Sequence, residues 1–155
     1  MKTAAIVATT FVLCMPAWTQ SAGKSEVFTS QQIREQLSAL PAQAAASGGS
    51  GVVLADYGSH RVQISVRTAS GGAERHAHWD DVMIVQQGSA TLITGGSIVG
   101  AKTSADGETK GTSIQGGKSQ AIAPGDVITV NAGVPHQILV PAGVTYSALV
   151  IKVKE

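Results

Sequence analysis

The feature that most constrains this chain is its punctuation. From Val52 onward, short apolar runs are broken by glycine and proline turns, and no pattern for a second helix follows. Val62, Ile64 and Val66 alternate with Gln63, Ser65 and Arg67, the period of two that sends successive side chains to opposite faces of a strand. Similar runs occupy Val52–Tyr57, His76–Gln86, Ala90–Thr94, Ser119–Ile122, Asp126–Val130, Pro135–Val140 and Thr145–Val153. Gly58-Ser59, Gly88 and Pro124-Gly125 supply turns between them. Strands this short at such regular spacing predict an all-β fold, an antiparallel sandwich or barrel. The 18 glycines and the 4% aromatic content suit many tight turns over small side chains. Within the glycine-rich piece Gly95–Gly117, Asp106-Gly107 reads as a two-residue hairpin turn between Ile98–Thr103 and Glu108–Ile114; the bland alternative is an unstructured loop.

The N-terminal third reads differently. Lys2, the mostly apolar stretch Thr3–Leu13 and the small and polar residues after Pro16 make residues 1–22 a candidate secretory signal peptide. The apolar stretch is short for a membrane span, and a buried helix is the other alternative. The expected location is therefore periplasmic or secreted. Cys14 is the chain's single cysteine; removal of the segment would leave no disulfide, thiolate metal site or cysteine nucleophile. Residues 23–51 hold one short helix and a linker. Thr29 and Gln32 form a capping-box pattern, Phe28 and Ile33 stand at staple positions, and Ile33, Leu37 and Leu40 repeat at helical spacing until Pro41. Ala42–Gly51 reads as a small-residue linker or loop. Residues 52–155 form the β domain.

Hydrophobic residues make up 43% of the chain and charged ones 14%, enough apolar material for a core. The formal net charge of +1 comes from scattered acids and bases, which predicts no nucleic-acid groove and no membrane-binding patch.

Three of the four histidines stand where chemistry is easiest to place. His76 and His78 form His-x-His in Gly71–Gly88 (GGAERHAHWDDVMIVQQG), and His136 lies in a second strand-like run, Gly125–Val140. In an extended segment His76 and His78 would point the same way, and a barrel interior would let His136 converge on them. Neutral imidazole is the commonest side-chain metal ligand. Asp81 would add an anionic ligand if a bulge at Trp79-Asp80 swapped its face; the alternative for Asp80 and Asp81 is a pair of strand-edge acids in solvent. Such an N/O donor set suits Fe, Mn, Ni, Cu or Zn without selecting among them. Gln86 shares the parity of the two histidines, Trp79 points away from them, and Ile84, Ile128 and Ile138 are candidate apolar walls. His60 falls in a turn, where a solvated imidazole is expected. No general base such as a free Lys, Tyr or Glu can be placed in the pocket from the sequence.

These two segments resemble the paired motifs of the cupin superfamily. The first family motif runs Gly, five residues, His-x-His, three or four residues, Glu, six residues, Gly. His76, His78 and Gly88 match it; Asp81 stands for the Glu and arrives one residue early, and Ser70 occupies the opening Gly position. In the second motif Gly125, Gly133 and His136 match, with Asn131 for the Pro and Val140 for the Asn. The resemblance implies a jelly-roll β-barrel and a divalent transition metal held by His76, His78, His136 and Asp81. It also implies a small-molecule ligand or substrate and a homodimer. Cupins include metal-dependent enzymes and non-catalytic binding proteins, so both classes stay open.

Overall fold

A computed structural model describes residues 25–155. The expected signal peptide, with Cys14, lies outside the described residues. Helix α1 spans Ser30–Ser47. The strands are β1 (Gly49–Asp56), β2 (His60–Arg67), β3 (Ala73–Arg75), β4 (Trp79–Gln87) and β5 (Ala90–Thr94). They continue with β6 (Ser97–Val99), β7 (Lys102–Thr103), β8 (Thr109–Gly111), β9 (Ser113–Gln115) and β10 (Lys118–Ile122). The last three are β11 (Val127–Val130), β12 (His136–Leu139) and β13 (Tyr146–Lys154).

All paired strands are antiparallel. One sheet has the order β1-β2-β13-β4-β11, the opposing one β10-β5-β12-β3-β8-β7, and β6 and β9 form a separate ribbon. The long jumps between neighbours in chain order, β13 beside β2 and β12 beside β3, are those of a jelly roll. Met83, Val85, Ile128, Val130 and Val150 of the first sheet share one apolar cluster with Leu92, Ile122 and Ile138 of the second, so the two layers enclose a common core. Of the candidate walls, Ile138 lines the inner cavity, Ile128 is buried in the apolar core instead, and Ile84 is only half-buried. It pairs across the ladder with Leu149, which packs on the helix side of the sheet.

The helix covers the outer face of the first sheet. Leu40 and Ala44 pack with Leu54, Ile64 and Val66, and Phe28, Ile33 and Leu37 border them. Thr29 caps the helix with the reciprocal Gln32 bond that the sequence signals. The stop expected at Pro41 does not occur. The helix runs through Pro41 to Ser47, and Gly48, with φ of 82°, closes it in the left-handed conformation. Ala42–Ser47 is therefore helix rather than linker, and the chain enters β1 at Gly49. Alanine is the strongest helix former, and the burial of Ala44 extends the packing one turn beyond the proline. Among the described residues no helix is long and apolar enough to cross a membrane.

The glycine-rich piece is ordered as two short ladders, β6–β9 and β7–β8. Thr103 pairs with Thr109, so five residues, not two, join β7 to β8. The turn itself is closed by the Gly107 N–H donating to the Ser104 carbonyl.

Candidate metal centre

The run expected as a single strand from His76 to Gln86 is broken. β3 ends at Arg75, the chain bends at Ala77-His78, and β4 starts at Trp79. Alternation of faces does not carry across a bend, and the two histidines part company. His76 is buried and His78 is exposed, close to the Gly107 turn, where a Cβ on Gly107 would stand 3.3 Å from His78 Nε2. The structure thus brings His76 and His136 together, with ring centroids 5.2 Å apart, and leaves His78 outside the group.

The bend also aims Asp81. Pairing of β4 with β13 is regular from Trp79 to Val85, so there is no bulge at Trp79-Asp80. Asp81 instead shares an inward face with Met83 and Val85, and is only 4% exposed. Gln86 falls on the other parity and is exposed, its amide donating to the Ile84 carbonyl. Asp80 accepts from the Ala132 N–H at 2.7 Å and ties β4 to the turn before β12. Trp79 lies under the Arg61 guanidinium, 5.1 Å from its ring centroid, and does not line the cavity. His60 opens β2 and stacks on Tyr57 at 4.7 Å.

A carboxylate that the motif spacing does not single out completes the cluster. Glu74, in β3, pairs directly with His136 of β12, and its Oε1 lies 3.4 Å from His136 Nε2. Glu74, His76 and His136 each place a ligand atom within 4.8 Å of the others. Asp81 Oδ2 lies 3.2 Å from His76 Nε2 and 3.6 Å from His136 Nε2. Two donors bonded to one ion at 2.0–2.2 Å stand roughly 2.8–3.6 Å apart across octahedral to tetrahedral angles. The three spacings fall in that range.

Hydrogen bonds set the orientation of both rings. His76 Nδ1 faces the Glu108 carboxylate and His136 Nδ1 faces the Val134 carbonyl, both of which can only accept. Each ring therefore turns Nε2 toward the cluster, the arrangement typical of metal-ligating histidines. His76 Nε2 is buried and makes no hydrogen bond: the Asp81 oxygen is near, but off the hydrogen-bond direction. A buried nitrogen and three carboxylate or imidazole acceptors facing one another form a donor set compatible with a cation.

The charges agree. Burial raises the Glu74 carboxyl, but the hydrogen bond and charge of His136, with His76 and Arg67 nearby, bring its pKa down to about 2. Burial likewise raises Asp81, and His76 and Lys152 together hold it below the usual carboxylate value. Lys152 reaches Asp81 Oδ1 at 2.5 Å, leaving Oδ2 to face the histidines. Burial lowers His76, but Asp81 and Glu108 raise it above its ordinary value. The cluster opens into a cavity of about 180 Å³, on whose wall stand Arg67, Tyr146 and Lys152. The sequence reading placed no Tyr, Lys or Glu here. The signal was parity: Tyr146, Ala148, Val150 and Lys152 share one face of β13.

No protein-family model and no curated protein matches the chain. Solved structures do. A predicted oxalate decarboxylase from Thermotoga maritima is similar over 69% of this chain and 81% of its own, with 14% identity and a TM-score of 0.52. The DMSP lyase DddQ from Ruegeria pomeroyi is similar over 70% of this chain, with 15% identity and a TM-score of 0.50. The match spans 48% of the lyase, about half its length. A cupin superfamily protein from Desulfitobacterium hafniense is similar over 69% of this chain and 78% of its own, at 16% identity and a TM-score of 0.48. At these identities the likeness is one of fold alone, and it agrees with the jelly-roll topology of the two sheets.

Proposed function

We propose that the protein is an exported cupin that holds a divalent transition metal through His76, His136, Asp81 and Glu74. The ion would serve chemistry on a small organic molecule in the adjoining cavity. The observation that carries the reading is the pair of imidazoles with both Nδ1 atoms tied to acceptors and both Nε2 atoms turned on Asp81 and Glu74. The donor set of two nitrogens and two carboxylates is compatible with Fe, Mn, Ni, Cu or Zn. A bound ion of this kind supplies Lewis acidity or an activated water.

The chain's own residues do the rest. Glu108 and the Val134 carbonyl hold the rings, Lys152 holds one oxygen of Asp81 so that the other stays aimed, and the cavity admits only a small ligand. Export is supported by the pattern of residues 1–22, a positive end followed by a short apolar run. Cupins also serve as non-catalytic holders of metals or small ligands, and turnover separates the two classes.

The test is metal per chain by elemental analysis. His136→Ala should lose most bound metal, and Asp81→Asn should weaken binding less than loss of a histidine does. Unchanged stoichiometry and affinity in His136→Ala would remove the centre. A small-molecule and oxygen-consumption screen on the loaded protein then asks for turnover, and mass spectrometry of exported material asks for loss of the leader.

A further inference from the structure

Two donors in the cavity wall have no acceptor. The Tyr146 side chain is 2% exposed, and its hydroxyl makes no hydrogen bond. Arg67 is its direct partner across the β2–β13 ladder and lines the same cavity. Among the described residues, the Arg67 guanidinium makes no ion pair or hydrogen bond, whereas Arg61 pairs with Asp56 and Lys152 with Asp81. A Cβ on Gly71 would stand 2.4 Å from Arg67 Nη1 and 2.7 Å from Cζ, so the guanidinium occupies space that any other residue at 71 would fill.

Arg67 also stands at a junction. A second groove, of about 580 Å³, runs over β1 and β2 and shares Gln63, Ser65 and Arg67 with the metal cavity. Its floor is bare where Gly49 and Gly51 pair with Arg67 and Ser65. A ligand entering by this route meets Arg67 before it meets the cluster.

The structure assigns Arg67 and Tyr146 as a subsite for the carboxylate of a small monocarboxylic ligand, seated between the groove and the metal cluster. This rests on the metal-centre reading for its setting, not for its donors. A guanidinium offers two parallel N–H groups that fit a carboxylate, and a buried phenol adds a third donor. Charge balance favours the same ligand. Glu74, Asp81 and Glu108 face Arg67 and Lys152, so a divalent ion leaves the site with a single positive excess, which one carboxylate neutralises and a phosphate dianion overshoots.

The test uses propanoate, its neutral analogue propanamide, and inorganic phosphate. Each is titrated by NMR into the purified protein, metal-free and zinc-loaded, following the Arg67 Nε–H signal, with zinc per chain measured on the same samples. Propanoate should move the Arg67 signal and saturate. Arg67→Gln should weaken it about tenfold or more, Arg67→Lys less, and Tyr146→Phe about threefold. Binding of propanoate that depends on Arg67 in protein taking up no zinc supports the subsite while the metal reading fails. Zinc uptake with propanoate affinity unchanged in Arg67→Gln overturns the subsite while the metal reading stands. Propanamide or phosphate binding as tightly as propanoate would also overturn it.

Discussion

His76 and His78 have a single residue between them in sequence and are parted in the structure by a bend. Buried His76 has Nδ1 on Glu108 and Nε2 toward Asp81, while exposed His78 lies by the Gly107 turn. His78→Ala should therefore retain metal at the parent stoichiometry, whereas His76→Ala should lose it. Glu108→Gln keeps the size of the side chain but removes the charge that holds the His76 ring; partners of this kind are worth about 10–100-fold in metal affinity. Competition with a chelating dye would measure both, and metal loss in His78→Ala would return that residue to the centre. Tyr146 gives a prediction of opposite sign. Its buried hydroxyl lacks a partner, so Tyr146→Phe should raise stability by about 1–3 kcal/mol at neutral pH. Burial also pushes the phenol pKa up to about 12. A raised folded-state value means that this contribution is intact below the unfolded value near 10 and is lost as pH climbs toward 12. Urea midpoints between pH 9 and 12 should fall in the parent more steeply than in Tyr146→Phe. A parallel fall in both would show that Tyr146 is not the group responsible.

At the scale of elements, the strands were legible because period-two alternation and glycine turns are local signals. β2, β5 and β13 lie within a residue or two of where the pattern puts them. What was illegible was any feature that depends on a strand ending. Nothing in ERHAHWDD marks the break at His76–His78, because neither Ala77 nor His78 is a turn former, and the break is fixed by long-range pairing. β3 is held to β8 and β12, β4 to β13 and β11, and the Gly133 N–H donates to the His76 carbonyl at 2.7 Å. Glu74 was missed for the same reason: its partnership with His136 is a cross-strand register, seen only once β3 is a separate strand. The helix end is illegible in the sequence because the local stop signal of Pro41 is opposed by packing that only the fold supplies. An interior proline lacks the N–H that would reach the carbonyl four residues back, yet Leu40 and Ala44 anchor the turns on either side. Pro41→Ala should accordingly stabilise the protein. The helix-interior gain is about 3 kcal/mol, offset in part by the freer unfolded chain, which takes back about 0.4–1 kcal/mol. Thermal unfolding measures the balance, and a lower midpoint would show that the half-buried ring contributes packing worth more than the lost hydrogen bond.

At the scale of the molecule, the proposed ion would sit where the two sheets have the least apolar material between them. The apolar cluster fills the barrel from Met83 and Val85 across to Leu92 and Ile122. At the other end the inward residues are Asp81 and Lys152 from one sheet, and Glu74 and His136 from its partner. Without a cation, that end brings two low-pKa carboxylates and two imidazoles together beside Lys152. With one, the donors on β3, β4 and β12 would be tied to a common point, so the proposed ion would act as a cross-link between layers. Binding to the folded state alone adds stability by mass action, about 3 kcal/mol at a free concentration 100 times the dissociation constant. Chelation should therefore lower the unfolding temperature in proportion to metal removed, and readdition should restore it. Hydrogen exchange gives the spatial half of the prediction. Amides of β3 and of the His76–His78 bend should lose protection on chelation, while those of Leu92, Ile122 and Val150 in the apolar end should change little. The same midpoint in chelator and in excess metal, with exchange unchanged at the bend, would mean that no ion joins the two sheets there.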